Sequence, residues 1–435
     1  MLRAAKPHSS STTSAATVTR RHRPDYHIVL YMGLLMLLGL IIMYAIGPQR
    51  ANVLNNAYGT DYYTSTYFFI KQSLSLIVAL GVFTFMAVVP YTYVQRYAKK
   101  ILLIGFGACV VLAIAGFIGL GIAQCSLGAC RWFNLGPLGS FQPAEVLKFG
   151  IVTFMAGFLS LRMRQGRIND IDKTIIPMSI VVGIALLFII VIQKDMGTGI
   201  SLAAILGSML IVSGMSARVG GLLVVAALVI GLVLVMMAPH RRERIFTFLK
   251  GDTSSASTGD GSDYHIKHAK IAIGSGGLFG VGIGNSVQAT GYLPEAINDS
   301  VFAIMGETFG FVGLTVIIGL FTALLMRLVR ATDHLQDPWM RLVVAGVFGW
   351  LGAHVILNVA SMIGLVPLTG ITLPLLSFGG TSMIFIAGAL GLAFQLSRYT
   401  VHGPINKETN SYEDSSSRRG LGRTRYASRR STSRM

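Results

Sequence analysis

The sequence predicts an all-α polytopic membrane protein of about ten transmembrane helices, with both termini cytoplasmic and a large extracytoplasmic loop between helices 7 and 8. Three observations carry that expectation. Of 435 residues, 53% are hydrophobic and only 12% charged, whereas a soluble chain carries about 25% charged residues. Too little polar surface is left to cover a water-soluble globule. Apolar runs close to the ~20 residues that cross about 30 Å of hydrocarbon recur along the chain. Lys and Arg gather in alternate short connections, which sets orientation.

The spans read, in order, near 26–46, 68–89, 101–123, 143–161, 174–192, 198–215, 219–238, 300–326, 341–364 and 381–397. The first has no small-residue cleavage site at its end and is expected to be retained. The sixth is short and interrupted by glycine. Arg96, Lys99 and Lys100, then Arg162, Arg164, Arg167 and Lys173, then Arg218, then Arg327 and Arg330 fall on one side of this arrangement. The basic tails, residues 1–25 and 398–435, fall on that side too and are expected to be disordered, because they are rich in Ser, Thr and Arg without a hydrophobic pattern. The membrane domain is 26–397. The formal charge of +18 therefore reflects topology, and no nucleic-acid partner is expected.

Two outer regions stand out, 124–143 and 239–299. The first holds Cys125 and Cys130, which could close a small disulfide or remain free thiols; no His stands beside them to make a metal site. Cys109 lies inside an apolar span and reads as packing. The second region carries Arg241, Arg242 and Arg244 near its start and Lys270 further on. Basic residues on the outer side run against the usual bias. They suit a solvated loop, or a phosphate-bearing ligand that guanidinium groups grip with paired donors. The glycine-rich run from Gly274 to Asn285 follows no strand and opens no nucleotide-binding helix. Close helix contact or a tight turn bordering a cleft is the better reading.

Asp299 stands where this loop enters the eighth span, and Glu307 follows two turns deeper. An ionised side chain costs about 2.5–3.5 kcal/mol at the bilayer centre, and less towards the interface. Such groups are kept for a reason. At Asp299 the plain reason is a helix N-cap and the functional one is catalysis. Glu307 reads as structural or as a substrate contact. Glu145 and Lys148, three apart at the start of the fourth span, can pair with each other or meet a substrate; pairing is the plainer reading.

Seven segments in order then carry a resemblance: Arg131-Trp132-Phe133-Asn134-Leu135-Gly136; Phe141-Gln142-Pro143-Ala144-Glu145-Val146-Leu147-Lys148; Asp195-Met196-Gly197-Thr198; Ile271-Ala272-Ile273-Gly274-Ser275-Gly276-Gly277; Gly284-Asn285-Ser286-Val287-Gln288; Tyr292 to Gly310; and Gly370-Ile371-Thr372-Leu373-Pro374-Leu375-Leu376-Ser377-Phe378-Gly379-Gly380. The chain resembles the SEDS family (shape, elongation, division and sporulation), whose members include FtsW, RodA and SpoVE. Tyr292 to Ala296 and the Gly306-Glu307 pair look division-like. Tyr264-His265-Ile266 and Thr247-Phe248-Leu249 look more like the elongation type. Ile297, Asn298, Thr308, His268 and Phe378 depart from the residues the family usually has there, while the Asp is kept.

The resemblance implies a bacterial multi-pass cytoplasmic-membrane enzyme. It would polymerise lipid II, an undecaprenyl-diphosphate disaccharide-peptide, into glycan on the outer face of that membrane. A class B penicillin-binding protein and other divisome or elongasome membrane proteins would be its partners. The family's essential acid corresponds to Asp299, expected to act as general base. Arg241, Arg242, Arg244 and Lys270, with Glu145, Lys148 and Glu307, make up the expected substrate-binding set. No protein metal site is expected, although Mg²⁺ or Mn²⁺ can assist such enzymes. A lipid II flippase or a non-catalytic division scaffold are the competing functions.

Overall fold

The computed structural model describes residues 23–126, 129–136, 139–236 and 261–400. Eleven helices are described: α1 Tyr26–Tyr58, α2 Tyr67–Val88, α3 Tyr91–Ile118, α4 Pro143–Arg164, α5 Ile176–Leu186, α6 Met196–Val212, α7 Ala217–Met236, α8 Gly261–Ser275, α9 Val301–His334, α10 Pro338–Met362 and α11 Gly380–Leu396. Single π-helical turns at Ile171–Ile175 and Leu187–Ile192 extend α5 at both ends. Eight of these segments are long and apolar enough to cross a membrane; Met196–Val212 and Ala217–Ala227 are shorter apolar helices. Each expected span thus meets a helix. The third begins ten residues earlier than its apolar run, at Tyr91 after Pro90, because proline ends the preceding turn and opens the next.

Aspartates start several helices. Asp25 accepts a hydrogen bond from the His27 amide, Asp195 from Thr198, and Asp337 from Trp339 and Met340. Each satisfies an amide that the first turn leaves without a helical partner. Glycine then brings helices together. A Cβ on Gly105 of α3 would lie 2.8 Å from Leu147 Cα of α4, and one on Gly150 would lie 2.8 Å from Leu102 Cα. The α3–α4 pair therefore packs backbone to backbone, the usual route to tight association where lipid removes the hydrophobic drive between helices.

One end of the bundle is closed by ion pairs. Arg327 Nε and Nη2 donate to the two oxygens of Asp25, at 2.7 and 2.9 Å. Arg164 Nη2 donates to Asp337 Oδ2 at 2.8 Å, and the Asp25 amide donates to Ser397 Oγ. The opposite end is built from longer connections. A three-stranded antiparallel sheet, β1 Ala123–Ser126, β2 Ala129–Asn134 and β3 Ser140–Phe141, lies there in the order β1-β2-β3. Cys125 and Cys130 are joined by a disulfide across β1 and β2. The expected long loop 239–299 contains a helix, α8, and then a chain of turns that reaches Asp299.

Candidate active site

Asp299 sits in a compact turn that its own sequence builds. Glu295 takes a left-handed backbone, φ 49°. Its carbonyl then accepts from the amides of Asn298 and Ser300, at 2.9 and 3.2 Å. Ser300 Oγ donates to the Pro294 carbonyl and contacts the buried His265 ring of α8. Leu293, Ala296 and Ile297 are buried and anchor the turn to the bundle. The N-cap position of α9 falls to Ser300, so Asp299 stands one residue before the place where an acid caps a helix. Asp299 is 8% accessible, buried at the end of the bundle.

A strap, residues 369–378, holds the turn from the other side. The Phe378 amide donates to the Ile297 carbonyl at 2.8 Å. Asn358 of α10 donates from Nδ2 to the Asp299 carbonyl and to the Ile371 carbonyl, both at 2.7 Å. Gln72 of α2 adds a longer contact to the Ser377 carbonyl.

Helix α9 is broken soon after Asp299. Gly310 has φ 67° and ψ −168°, outside the helical region. The break frees backbone groups in the bundle, where an unpaired amide or carbonyl is costly. The glycine-rich run satisfies them. Val281 and Gly282 donate to the carbonyls of Glu307 and Thr308; the amides of Phe311 and Val312 donate to Gly277 and Leu278. Contact is so close that a Cβ on Gly310 would overlap the Gly280 amide, and one on Gly276 would overlap the Gly306 carbonyl. The run is thus a backbone splice across a discontinuous helix.

Glu307 secures the next stretch of chain. It is buried and accepts from Ser286 Oγ at 2.5 Å, from the Val287 amide at 3.0 Å and from the Gln288 amide at 3.2 Å. Gln288 Oε1 meets His268 Nδ1 of α8 at 2.8 Å. Lys270 of α8 is exposed, and its stem lies against the Gly364 backbone just after α10. Glu145 and Lys148 are both buried; Lys148 Nζ lies 2.9 Å from Glu145 Oε1, 3.2 Å from His354 Nε2 of α10 and 4.8 Å from the Trp350 ring centroid. Arg241, Arg242 and Arg244 lie outside the described residues.

Sequence reading passed over His354 and Asn358. A signal was present: two polar side chains four apart in an apolar span lie on one helix face, and polar groups at that depth tend to face the bundle interior. Gly310 gave no such signal, since glycine is common in membrane helices.

Among the described residues no cluster of three or more His, Cys, Asp or Glu could hold a metal ion. An ion such as Mg²⁺ would need a ligand that brings most of its oxygens, since such ions are held by one or two carboxylates plus phosphates and waters.

A family model described as a cell cycle protein, spanning FtsW, RodA and SpoVE, matches residues 26–402. A probable peptidoglycan glycosyltransferase FtsW of Polynucleobacter necessarius is 32% identical over 394 residues, 88% of each chain. Stage V sporulation protein E of Bacillus subtilis is 33% identical over 387 residues, 88% of this chain and 99% of its own. Among solved structures, a chain of a peptidoglycan synthase complex that coordinates polymerization and crosslinking aligns with TM-score 0.65 and 25% identity, over 86% of this chain and 98% of its own. The Thermus thermophilus rod shape determining protein RodA shares the fold, with TM-score 0.59 over 87% of this chain and 98% of its own. With nearly the whole membrane domain matched in sequence and in fold, the chain belongs to the FtsW/RodA/SpoVE family of cell cycle proteins.

Proposed function

We propose that this protein is a peptidoglycan glycosyltransferase of the bacterial cytoplasmic membrane, which polymerises lipid II at the outer face, with both termini cytoplasmic. The observation that carries the reading is the lodging of Asp299. The acid is fixed by its own turn and by the 369–378 strap at the start of a broken helix, and several relatives in this family are named as probable peptidoglycan glycosyltransferases FtsW.

The chemistry follows from the bonds exchanged. The acceptor sugar's 4-hydroxyl oxygen attacks the donor's anomeric carbon, and the bond from that carbon to the lipid diphosphate breaks. An α-linked donor gives a β-linked product, so the centre inverts and the base must stand on the face opposite the leaving group. Asp299 takes the hydroxyl proton as the new bond forms. The diphosphate leaves as an anion and needs charge stabilisation more than a proton. Arg241, Arg242, Arg244 and Lys270 are assigned to that anion. Mg²⁺ or Mn²⁺ on the diphosphate would add positive charge there. Glu145, Lys148 and Glu307 serve the substrate indirectly, because each is buried and already engaged by protein groups. Since Asp299 is only 8% accessible, a sugar must reach it along a narrow path or through a wall that moves on binding. The expected partner is a class B penicillin-binding protein that crosslinks the new strands.

One feature also suits a lipid transporter: a discontinuous helix beside a buried acid. A single experiment separates the two. Purified protein reconstituted with lipid II in vesicles makes glycan strands if it is the polymerase, and Asp299→Asn does not. Polymer at the wild-type rate from Asp299→Asn removes the base assignment. Transfer of lipid II between leaflets without any polymer favours transport.

A further inference from the structure

Asn358 is a fully buried amide on α10, inside a span that is otherwise almost wholly apolar. Its Nδ2 carries two N–H bonds, and both are used. One reaches the backbone carbonyl of Asp299 and the other the backbone carbonyl of Ile371, each at 2.7 Å. The pairing fixes the orientation of the amide. Flipped by 180°, the group would set its own oxygen against two carbonyl oxygens.

The two carbonyls belong to segments that nothing in the chain order brings together. Ile371 lies in the strap between α10 and α11, and Asp299 ends the turn before α9. The strap is itself wedged. A Cβ on Gly39 of α1 would lie 2.9 Å from the Leu376 carbonyl oxygen, and a Cβ on Gly197 of α6 would lie 2.8 Å from the Thr369 oxygen. Ser377 Oγ accepts from the Leu373 amide at 2.8 Å. A short side chain thus ties the Asp299 backbone to a strap contacted by α1, α2 and α6. One turn earlier on the same face of α10, His354 meets Lys148. Through α10 the Asp299 turn is therefore braced against α4 as well.

We propose that Asn358 is a positioning residue: by holding the Asp299 carbonyl it sets where the carboxylate stands. The inference rests on Asp299 being the base. It acts on the position of that acid and not on lipid binding, because Asn358 is buried on the backbone side of the turn. A misplacement of about 1 Å at a reacting group costs about a hundredfold in rate, so the loss belongs in kcat.

The test uses the full-length protein, with lipid II polymerisation measured over a range of lipid II concentrations for Asn358→Ala, Asn358→Leu and Asp299→Asn. Leucine keeps the branched four-heavy-atom outline of asparagine, at a larger volume, and removes both donors. The expected result is a kcat about a hundredfold lower in both Asn358 variants, a KM within about twofold of wild type if uniform binding is untouched, and a single folded species on size exclusion. Wild-type kcat in Asn358→Leu would reduce Asn358 to packing and overturn the proposal. So would a loss carried mainly by KM, or the absence of a folded species in both variants. If Asn358→Ala alone fails to fold, the leucine variant decides. Asp299→Asn separates the two layers of inference. An inactive Asp299→Asn beside a fully active Asn358→Leu rejects the positioning role only, whereas a fully active Asp299→Asn rejects the base itself.

Discussion

The helix-capping aspartates and Asp299 are used differently, even though one cap, Asp195 on α6, lies at the same end of the bundle as Asp299. At one end Asp25 caps α1 and is gripped by both arms of Arg327, while Asp337 caps α10 and pairs with Arg164. Each of these acids is occupied by a helix start and by a guanidinium. At the other end Asp299 is held through its backbone carbonyl, and Ser300 takes the cap position of α9. An N-cap is the ordinary reason for an Asp at a helix start, contributing about 1 kcal/mol. The structure supplies that role to the first two acids and moves it one residue away from the third.

The sharpest way to break the contrast is to exchange Asp for Asn at both ends. Asn caps a helix as well as Asp but takes up no proton at neutral pH. Asp337→Asn should therefore leave lipid II turnover unchanged. Asp299→Asn should lower it by about 10²–10⁴, the range general-base catalysis supplies, with little change in melting temperature. Glycan synthesis and thermal unfolding measured on the same preparations decide between them. Equal activity in the two variants would place Asp299 in the same class as the caps.

The next effect concerns the splice. Gly310 holds a backbone that a side chain would strain, and its Cβ would overlap backbone atoms of Gly280 that have no flexible end to move. Strain of this kind costs about 1–3 kcal/mol before any overlap is counted. Gly310→Ala should lower the melting temperature and remove activity together, since the broken helix begins just after Asp299. Gly33 and Gly81 have nothing within 4 Å of an added Cβ, so Gly81→Ala serves as the silent control in the same melting assay.

Glu307 gives a smaller effect at the same end. Its carboxylate accepts from a hydroxyl and two amides of residues 286–288. Removing it in Glu307→Ala leaves buried donors without a partner, at about 1–3 kcal/mol for each such group. Lower stability with a partial loss of turnover is expected, read by melting and by initial rate. A total loss of turnover with unchanged melting would instead mark Glu307 as a direct participant.

These same residues show how far the sequence could be read. Spans were legible because hydrocarbon demands a long apolar run and admits few charges, a constraint that acts residue by residue. Asp299 was legible because a charge at that border is costly enough to stand out. The Glu145–Lys148 contact follows from spacing on one helix face. Long-range backbone relations were not legible. The break at Gly310 depends on a loop some thirty residues earlier lending its amides and carbonyls, and no local pattern encodes that exchange. Helix α8 was hidden in a polar stretch, because only its buried face, with His265, Ala269 and Ala272, is spent on packing.

The smallest expected effect lies at the closed end. Burial opposes ionisation of Asp25, but hydrogen bonds from Arg327 and His27 and the Arg327 charge outweigh it, so its carboxyl titrates below the usual 3.8. A carboxyl whose folded value is depressed contributes stability that is fully present above its unfolded value and is lost as pH falls through the folded one. The melting temperature of the wild type should therefore fall as pH drops below about 4, and Asp25→Asn should lack that part of the fall. The group is partly solvated, which shrinks the effect. Activity at neutral pH should be the same in both proteins, because this acid is already spent on holding α1 to α9. Matching acid limbs in the two melting curves would mean that the Arg327 grip contributes nothing, and a loss of turnover in Asp25→Asn would mean that the two ends of the bundle are not independent.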